Sequence, residues 1–269
     1  MTTEQHMLAT IRTTGRASYA FFLLLPLLLL PAGCSSNRYE LQAPTALIAP
    51  YETAQGDVLW AVAPPRNESG VGVLDPLDVA DTLAATLQEV RGVTVVPVNR
   101  TLGAMRSIGI EHVSSPADAR RLALELGVDG VIVSSITAWN PYKPPRIGLN
   151  LALYGRPGSD RLTERAADVD PRQLTSATTE RRLPNAGAHD QALSVAAAHL
   201  DAANHEVLMS VRHYAEGRHD PETALGWRGY LASMQLFTKF ACYRLTGQLL
   251  DEERLRLARE RVTAQALAR

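Results

Sequence analysis

The sequence predicts an α/β fold: a mixed, mostly parallel sheet with flanking helices, followed by a C-terminal helical hairpin with one long helix. Two patterns lead to this prediction. Over residues 56–154, short apolar runs alternate with segments of helical periodicity, which is typical of parallel strands joined by crossover helices. Beyond residue 200, apolar side chains recur at helical spacing.

Three apolar runs predict the parallel strands: Val58–Ala63, Val93–Val98 and Val131–Ile136. Asp75 and Ser115 each precede a proline, and a capping residue followed by proline is a strong helix start. We expect Gly92 and Gly127 to end these two helices. A short helix is predicted over Thr101–Ser107.

Two further strands are expected after the proline-rich loop 140–145. Alternating leucines and isoleucine over Ile147–Leu153 predict a half-buried antiparallel strand, and Leu193–Leu200 predicts another. The segment 155–190 between them is rich in Gly, Pro and charge, which predicts a long mobile excursion.

The C-terminal region predicts two helices. Asn204 caps the first, which Gly217 ends, and the second is long and begins at about Trp227. Cys242 lies on the long helix and is expected in the core. Residues 251–269 mix acids and arginines, which predicts a solvated helix with i,i+4 ion pairs or an extension that binds a partner.

The N-terminus predicts a targeting segment. Arg12 and Arg16 precede the apolar run Ala20–Leu30, which small residues and Gly33-Cys34 follow. This run is short for a membrane span and is interrupted by proline. The order resembles a bacterial lipoprotein signal, and the resemblance implies cleavage between Gly33 and Cys34 and acylation of Cys34.

The position three before the cysteine is Pro31, where lipoprotein signals usually have leucine. Ordinary secretion, or an uncleaved anchor, is therefore the alternative to lipidation. Ser35 in place of aspartate is compatible with sorting to the outer membrane, on its periplasmic face. The predicted organisation is a signal peptide over 1–33, a tether over 34–55, an α/β domain over 56–200 and a helical region over 201–269.

The composition argues against several classes of protein. Lys+Arg is 27 and Asp+Glu is 28, so the net charge of −1 argues against a basic nucleic-acid-binding protein. Two cysteines cannot build a disulfide framework or a cysteine-rich zinc site. We therefore predict no cofactor and no metal.

The loop with Gly70 and Gly72 follows a strand and precedes a helix, as a dinucleotide loop does. Asp75 stands where the third glycine belongs and would bring a carboxylate close to a pyrophosphate. We therefore expect a flexible loop and a helix cap here, and no nucleotide site.

Catalytic residues are not predicted. Ser134 and Ser135 lie at the end of a strand, where a nucleophile could lie, but no GxSxG pattern surrounds them. The spacing between the C-terminal histidines places no two of them on one helical turn, as a zinc pair requires, and predicts surface residues. These histidines are His199, His205, His213 and His219.

The ordered segments resemble a known group of envelope proteins. The segments that carry the resemblance are Ala63–Gly70, Gly92–Arg100 and Ala123–Val133, the last containing Leu-Gly-Val-Asp before an apolar strand. They are similar to the α/β domain shared by the TolB amino-terminal domain, CsgG and the lipoprotein activators of penicillin-binding proteins. The resemblance implies non-catalytic binding and assembly work at the envelope.

These observations predict a non-enzymatic, lipid-anchored periplasmic adaptor or assembly factor. Its partners would be the membrane, through the lipid, and another envelope protein or the cell-wall machinery. Two alternatives stay open. One is a periplasmic hydrolase, which needs His199 or another base within about 3.2 Å of Ser134 or Ser135. The other is a subunit of a secretion-type ring.

Overall fold

The structure is a computed structural model that describes residues 46–51, 56–159, 161–162, 191–220 and 222–267. Its strands are β1 (Val58–Val62), β2 (Arg66–Asn67), β3 (Val93–Val96), β4 (Gly130–Asn140), β5 (Arg146–Gly155) and β6 (Ser194–Asp201). Its helices are α1 (Pro76–Gln88), α2 (Val98–Ser107), α3 (Pro116–Leu126), α4 (His205–Ala215), α5 (Gly229–Ala232) and α6 (Met234–Leu267), with a 3₁₀ turn over Gly226–Arg228.

The strands form one mixed sheet in the order β3-β1-β4-β5-β6. β1 is parallel to both β3 and β4, whereas β5 is antiparallel to β4 and β6. The short β2 pairs in parallel with β4 at Ser135 and Ile136. The predicted α/β fold with a long C-terminal helix is therefore confirmed.

The two faces of the sheet are covered differently. On the first face, α1 and α6 pack over the sheet, with Trp60, Ile132 and Leu149 among the fully buried side chains. On the second face, α2 and α3 supply Met105 and Leu122 to a smaller cluster. Burial of such side chains contributes roughly 1.5–3 kcal/mol each.

The predicted helix starts are confirmed in atomic detail. Asp75 Oδ1 accepts the Leu77 N–H at 2.8 Å at the start of α1. At the start of α3, Ser115 Oγ accepts the Asp118 N–H at 3.2 Å, and Asp118 Oδ2 accepts the Ser115 N–H at 3.1 Å. This reciprocal pair is a capping box. Gly127 follows α3 with φ 65°, a left-handed conformation that favours glycine.

The predicted boundary between β3 and the next helix is wrong. β3 ends at Val96, and α2 begins at Val98 and not at Thr101. Pro97 separates them, since it cannot donate a ladder hydrogen bond and its φ of −54° suits entry into a helix. Gly92 does not end α1, which stops at Gln88; its φ of 90° belongs to the turn that enters β3.

The C-terminal helix begins later than predicted. Ser233 has extended backbone angles, φ −118° and ψ 117°, and separates the short α5 from α6. Aromatic rings pack together in this region: the centroid of the Tyr214 ring lies 5.6 Å from that of Tyr230, 5.6 Å from that of Phe240 and 4.8 Å from that of Tyr243. This cluster docks α4 against α5 and α6.

Residues 160 and 163–190 are outside the described residues, so the mobile excursion stays a prediction. The described residues that border this segment contact the rest of the domain; they are Ser159, Arg161 and Leu162. The part of the chain that the structure describes contains no helix with both the length and the apolar character that crossing a membrane requires.

Candidate binding site

Two loops project from the carboxyl ends of the parallel strands. The first, residues 67–74, connects β2 to α1, and the second, residues 141–145, joins β4 to β5. In open α/β sheets, ligands bind preferentially outside the carboxyl ends of the strands. We name the surface formed by these loops and the first turn of α1 the carboxyl-edge surface.

Hydrogen bonds hold the first loop in place. Asn67 Oδ1 accepts the Ser69 N–H at 3.1 Å and the Ser69 hydroxyl at 2.7 Å, while Asn67 Nδ2 donates to Val71 O at 2.8 Å. Glu68 N–H donates to Ile136 O at 2.8 Å and so attaches the loop to β4. The expectation of a flexible loop is not supported, and Val73 is presented to solvent with 85% of its surface exposed.

The second loop presents an aromatic ring. Tyr142 N–H donates to Asn140 Oδ1 at 3.1 Å, which closes a turn at the tip of the hairpin. The Tyr142 side chain is 80% exposed, and Leu77 in the first turn of α1 is also exposed. Tyrosine combines an apolar ring with a polar hydroxyl and is enriched in protein interfaces.

Charged side chains lie near these apolar groups in the sequence. Arg66 and Glu68 form an exposed ion pair at 3.9 Å, and Lys143 is exposed beside Tyr142. Apolar groups inside a polar rim are the usual composition of a transient protein interface. Chemically, the carboxyl-edge surface can therefore bind a partner by apolar contact and hydrogen bonding.

Asp129 is a buried carboxylate at the opposite ends of the strands. Its Oδ2 accepts the Leu59 N–H at 2.9 Å, and its Oδ1 accepts the Ser159 hydroxyl at 3.1 Å. Arg156 and Arg161 approach the same carboxylate at 3.6 and 3.8 Å. Asp129 thus fastens the segment after β5 to β1, so its role is structural.

Glu253 is a second buried carboxylate, on α6. It accepts hydrogen bonds from the Tyr51 hydroxyl at 3.0 Å, from the Ser194 hydroxyl and from Arg256 Nε at 2.9 Å. Burial, and then Glu253, raises the pKa of Tyr51. Burial alone would lower the pKa of Arg256, but its contacts with Glu253 and Glu260 raise it.

The prediction of a wholly solvated helix beyond residue 251 is therefore wrong at Glu253, although the i,i+4 pair between Arg256 and Glu260 is present at 2.8 Å.

A cavity of about 520 Å³ lies beside these two carboxylates. Its polar lining includes Arg120, Tyr154, Arg156, Arg256 and Glu260. Arg156 faces Asp129, and Arg256 bonds to Glu253, Glu260 and, at 3.0 Å, to Leu162 O. Both guanidinium groups therefore belong to the hydrogen-bonding networks of the buried carboxylates.

The residues considered for a hydrolase are kept apart. Ser134 points to the first face, in line with Ile132 and Ile136, and is buried, whereas His199 lies on the second face and is exposed. Ser135 shares the second face with His199, but two strand spacings and two residues of register put them about 12 Å apart. Ser135 Oγ instead accepts a hydrogen bond from Asn150 Nδ2 at 3.3 Å.

The other histidines lie at separate positions at the surface. His205 and His213 are exposed on α4, and His219 is half-buried with Nδ1 2.7 Å from Ala215 O. Within the described residues, no three His, Cys, Asp or Glu side chains are grouped as metal ligands. The prediction that these histidines are surface residues is confirmed for His199, His205 and His213.

Cys242 is fully buried on α6, as predicted. Burial raises the pKa of its thiol to about 12, so the group is neutral at physiological pH. Cys34 and Gly33 precede the described residues, and their predicted acylation and cleavage stay predictions.

Known proteins resemble this chain only in part. No family model and no curated protein matches the sequence. Among solved structures, lipoprotein GNA1162 from Neisseria meningitidis is 21% identical over 38% of this chain and 75% of its own, with a TM-score of 0.30. The LpoB C-terminal domain from Salmonella enterica is 18% identical over 41% of this chain and 76% of its own, also at 0.30.

A third structure, the hypothetical protein CT253 from Chlamydia trachomatis, spans more of the chain. It is 9% identical over 74% of this chain and 98% of its own, with a TM-score of 0.37. Bacterial lipoproteins are thus among the structures that this chain resembles, at scores too low to support a functional conclusion. The similarity to TolB and CsgG stays a prediction.

Sequence reasoning missed the carboxyl-edge surface and both buried carboxylates. Val73 and Tyr142 lie in loops with no periodic pattern, and only their position after predicted parallel strands could have indicated them. The partners of Glu253 lie 202 and 59 residues away in the chain, at Tyr51 and Ser194. No local pattern indicates contacts at such separations.

Proposed function

We propose that this chain is a non-enzymatic, lipid-anchored protein of the bacterial envelope. Cys34 carries the acyl chains after cleavage at Gly33, and residues 34–55 tether the domain at the periplasmic face of the outer membrane. The domain acts as an adaptor or assembly factor for another envelope protein, including proteins of the cell-wall machinery.

The observation that carries the adaptor role is the carboxyl-edge surface. It presents Val73 and Tyr142 on two loops that internal hydrogen bonds hold in place. A preformed apolar surface loses less conformational entropy when it binds than a flexible one does. The Asn67 and Asn140 hydrogen bonds therefore favour binding without rearrangement of the domain.

The lipid anchor is tested on the full chain. The processed protein is expected to begin at Cys34 and to have the added mass of acyl chains, and globomycin should cause the precursor to accumulate. Cys34→Ser is the control and should leave the membrane fraction. An unmodified Cys34, or a chain that keeps residues 1–33, would contradict the anchor.

The adaptor role is tested by comparing surface variants in detergent-solubilised envelopes. The double variant Val73→Asp/Tyr142→Asp should retain at least tenfold less of a partner protein than the wild type, because buried aspartates lack counter-charges. The control is Val262→Asp on α6, whose wild-type side chain is 56% exposed and lies outside the carboxyl-edge surface. Equal retention by the double variant and the control would contradict the proposal.

A further inference from the structure

β6 is an edge strand of the sheet formed by the described residues. In the strand order β3-β1-β4-β5-β6, it pairs with β5, and no other described strand pairs with it. Ala202 N–H donates to Pro145 O at 3.0 Å. Because hydrogen bonding alternates along an antiparallel pair, the even-numbered residues of β6 direct their N–H and C=O groups towards β5. The N–H and C=O groups of Val195, Ala197 and His199 therefore point away from the sheet.

This edge lacks the usual protection against strand pairing. Natural edge strands are commonly short or carry lysine, proline or a bulge. β6 has eight residues in unbroken register with β5, and its sequence contains neither lysine nor proline. Within the described parts of the chain, no backbone group pairs with its outward N–H and C=O groups, so these groups can bind another strand.

The opposite edge of the same sheet is protected. β3 has four residues and is followed by Pro97. Beside it, Arg91 exchanges backbone hydrogen bonds with the segment around Ile48, since Arg91 N–H donates to Leu47 O and Ala49 N–H donates to Arg91 O, both at 2.9 Å. The β3 edge is therefore protected against pairing with another strand, whereas the β6 edge lacks this protection.

The second face beside the β6 edge is open as well. On this face, α2 packs on β1, and α3 packs on β4 and β5. On β6, Val195 is 49% exposed, and Ala197 and His199 are exposed. These small and medium side chains leave room for a neighbouring strand.

We propose that β6 pairs antiparallel with β6 of a second copy of this chain, around a twofold axis at Ala197. This register places Ala197 opposite Ala197 of the second copy and Val195 opposite its His199. All the outward groups of the three residues are then satisfied, by about six backbone hydrogen bonds. The inference goes beyond the proposed adaptor function and does not depend on it.

The charge of the edge favours a second copy over a charged partner. The segment Ser194–Leu200 contains no Asp, Glu, Lys or Arg, so two copies meet without like-charge repulsion. Asp201, at the end of the strand, already pairs with Arg146 at 2.8 Å. The pairing is isologous, and an isologous contact closes as a dimer.

Disulfide trapping in the full, membrane-anchored chain tests the register. Ala197→Cys places the two Cα atoms about 5.5 Å apart, inside the usual disulfide range. Ala152→Cys, on β5 and on the same face, is the matched control at about 20 Å, because three strand spacings and four residues of register separate the two copies. A copper-phenanthroline oxidation should give a covalent dimer with Ala197→Cys and at most one-tenth as much with Ala152→Cys.

A second variant tests the edge without oxidation. Ala197→Lys should convert the detergent-solubilised dimer to a monomer in light scattering, with unchanged circular dichroism, because Ala197 is exposed. Thr94→Lys, on the protected edge strand β3, should leave the dimer intact. A wild-type monomer at about 100 µM, equal cross-linking at positions 197 and 152, or a dimer that survives Ala197→Lys would overturn the proposal.

Discussion

At the scale of single residues, the segment Leu126–Gly130 shows how a sequence signature can be entirely structural. Gly127 ends α3 in a left-handed conformation, and Asp129 binds the β1 backbone. A Cβ at Gly130 would lie 3.1 Å from the Trp60 ring. The pattern that carries the family resemblance therefore builds the crossing between α3 and β4.

Replacing Asp129 with alanine should destabilise the domain strongly. The change leaves the Leu59 N–H and the Ser159 hydroxyl without their acceptor and removes the carboxylate that faces Arg156 and Arg161. We expect a loss of about 3 kcal/mol in the free energy of unfolding, measured by urea denaturation. Asp129→Asn keeps one acceptor oxygen and should lose about half as much; equal and small losses for both variants would contradict this role.

Cys242 should be inert towards thiol reagents in the folded chain. Its thiol is buried, and its pKa is raised to about 12, so at pH 8 it is neither accessible nor ionised. A Thr94→Cys variant supplies an exposed thiol on β3 as the control. In an Ellman assay at pH 8, the added cysteine should react within minutes and Cys242 only after denaturation; rapid reaction of Cys242 in the native protein would contradict its burial.

The raised pKa of Cys242 also predicts a direction for alkaline stability. The folded chain favours the neutral thiol more than the unfolded chain does, in which the pKa is about 8.5. The stabilisation is thus fully present below about pH 8.5 and is lost as the pH rises towards 12.

The capping residues and the buried carboxylates also show what a sequence can predict at this scale. Asp75 and Ser115 could be recognised as caps because their partners lie two and three residues away. Glu253 could not be recognised as buried, because the groups that satisfy it, apart from Arg256, come from distant segments. Reasoning from local sequence succeeds where the physical cause is local.

At the scale of elements, α6 is joined to the sheet by polar as well as apolar contacts. Glu253 links it to β6 through Ser194 and to the segment before β1 through Tyr51. Arg256 extends the contact to Leu162 O after β5. Three segments that are far apart in the chain therefore meet on one turn of α6.

A double-mutant cycle tests the coupling between Glu253 and Arg256. Glu253→Ala should lower the free energy of unfolding by about 4 kcal/mol, because it leaves Arg256 without its buried partner. Arg256→Ala alone should be costly for the same reason, and the double variant should lose about 1–3 kcal/mol less than the sum of the two. Additive losses in urea denaturation would show that the pair is not coupled.

Element identity was easier to predict than element boundaries. The six-residue run at Val58–Ala63 and the alternation over Ile147–Leu153 identified strands because burial imposes these patterns. The break at Ser233 was not predicted, since the helical spacing of apolar residues continues across it. Tertiary packing, and not local propensity, sets such boundaries.

At the scale of the whole molecule, we propose a lipid anchor followed by a domain that presents a preformed surface. β2 and β4 are parallel, so the loops that carry Val73 and Tyr142 extend from the same edge of the sheet; β2 ends opposite Ile136, and β4 continues to Asn140. The sequence indicated the strands and the loops separately. Their shared direction depends on how the strands pair, which no periodic pattern contains.

Site-specific photo-crosslinking in living cells tests whether the carboxyl-edge surface binds an envelope protein. A photoreactive phenylalanine analogue replaces Tyr142 in the full chain, and the same analogue at Val262 serves as the exposed control. We expect a discrete cross-linked product with an envelope protein from position 142, absent from position 262 and reduced when Cys34→Ser releases the chain from the membrane. No product at position 142, or the same product from both positions, would contradict it.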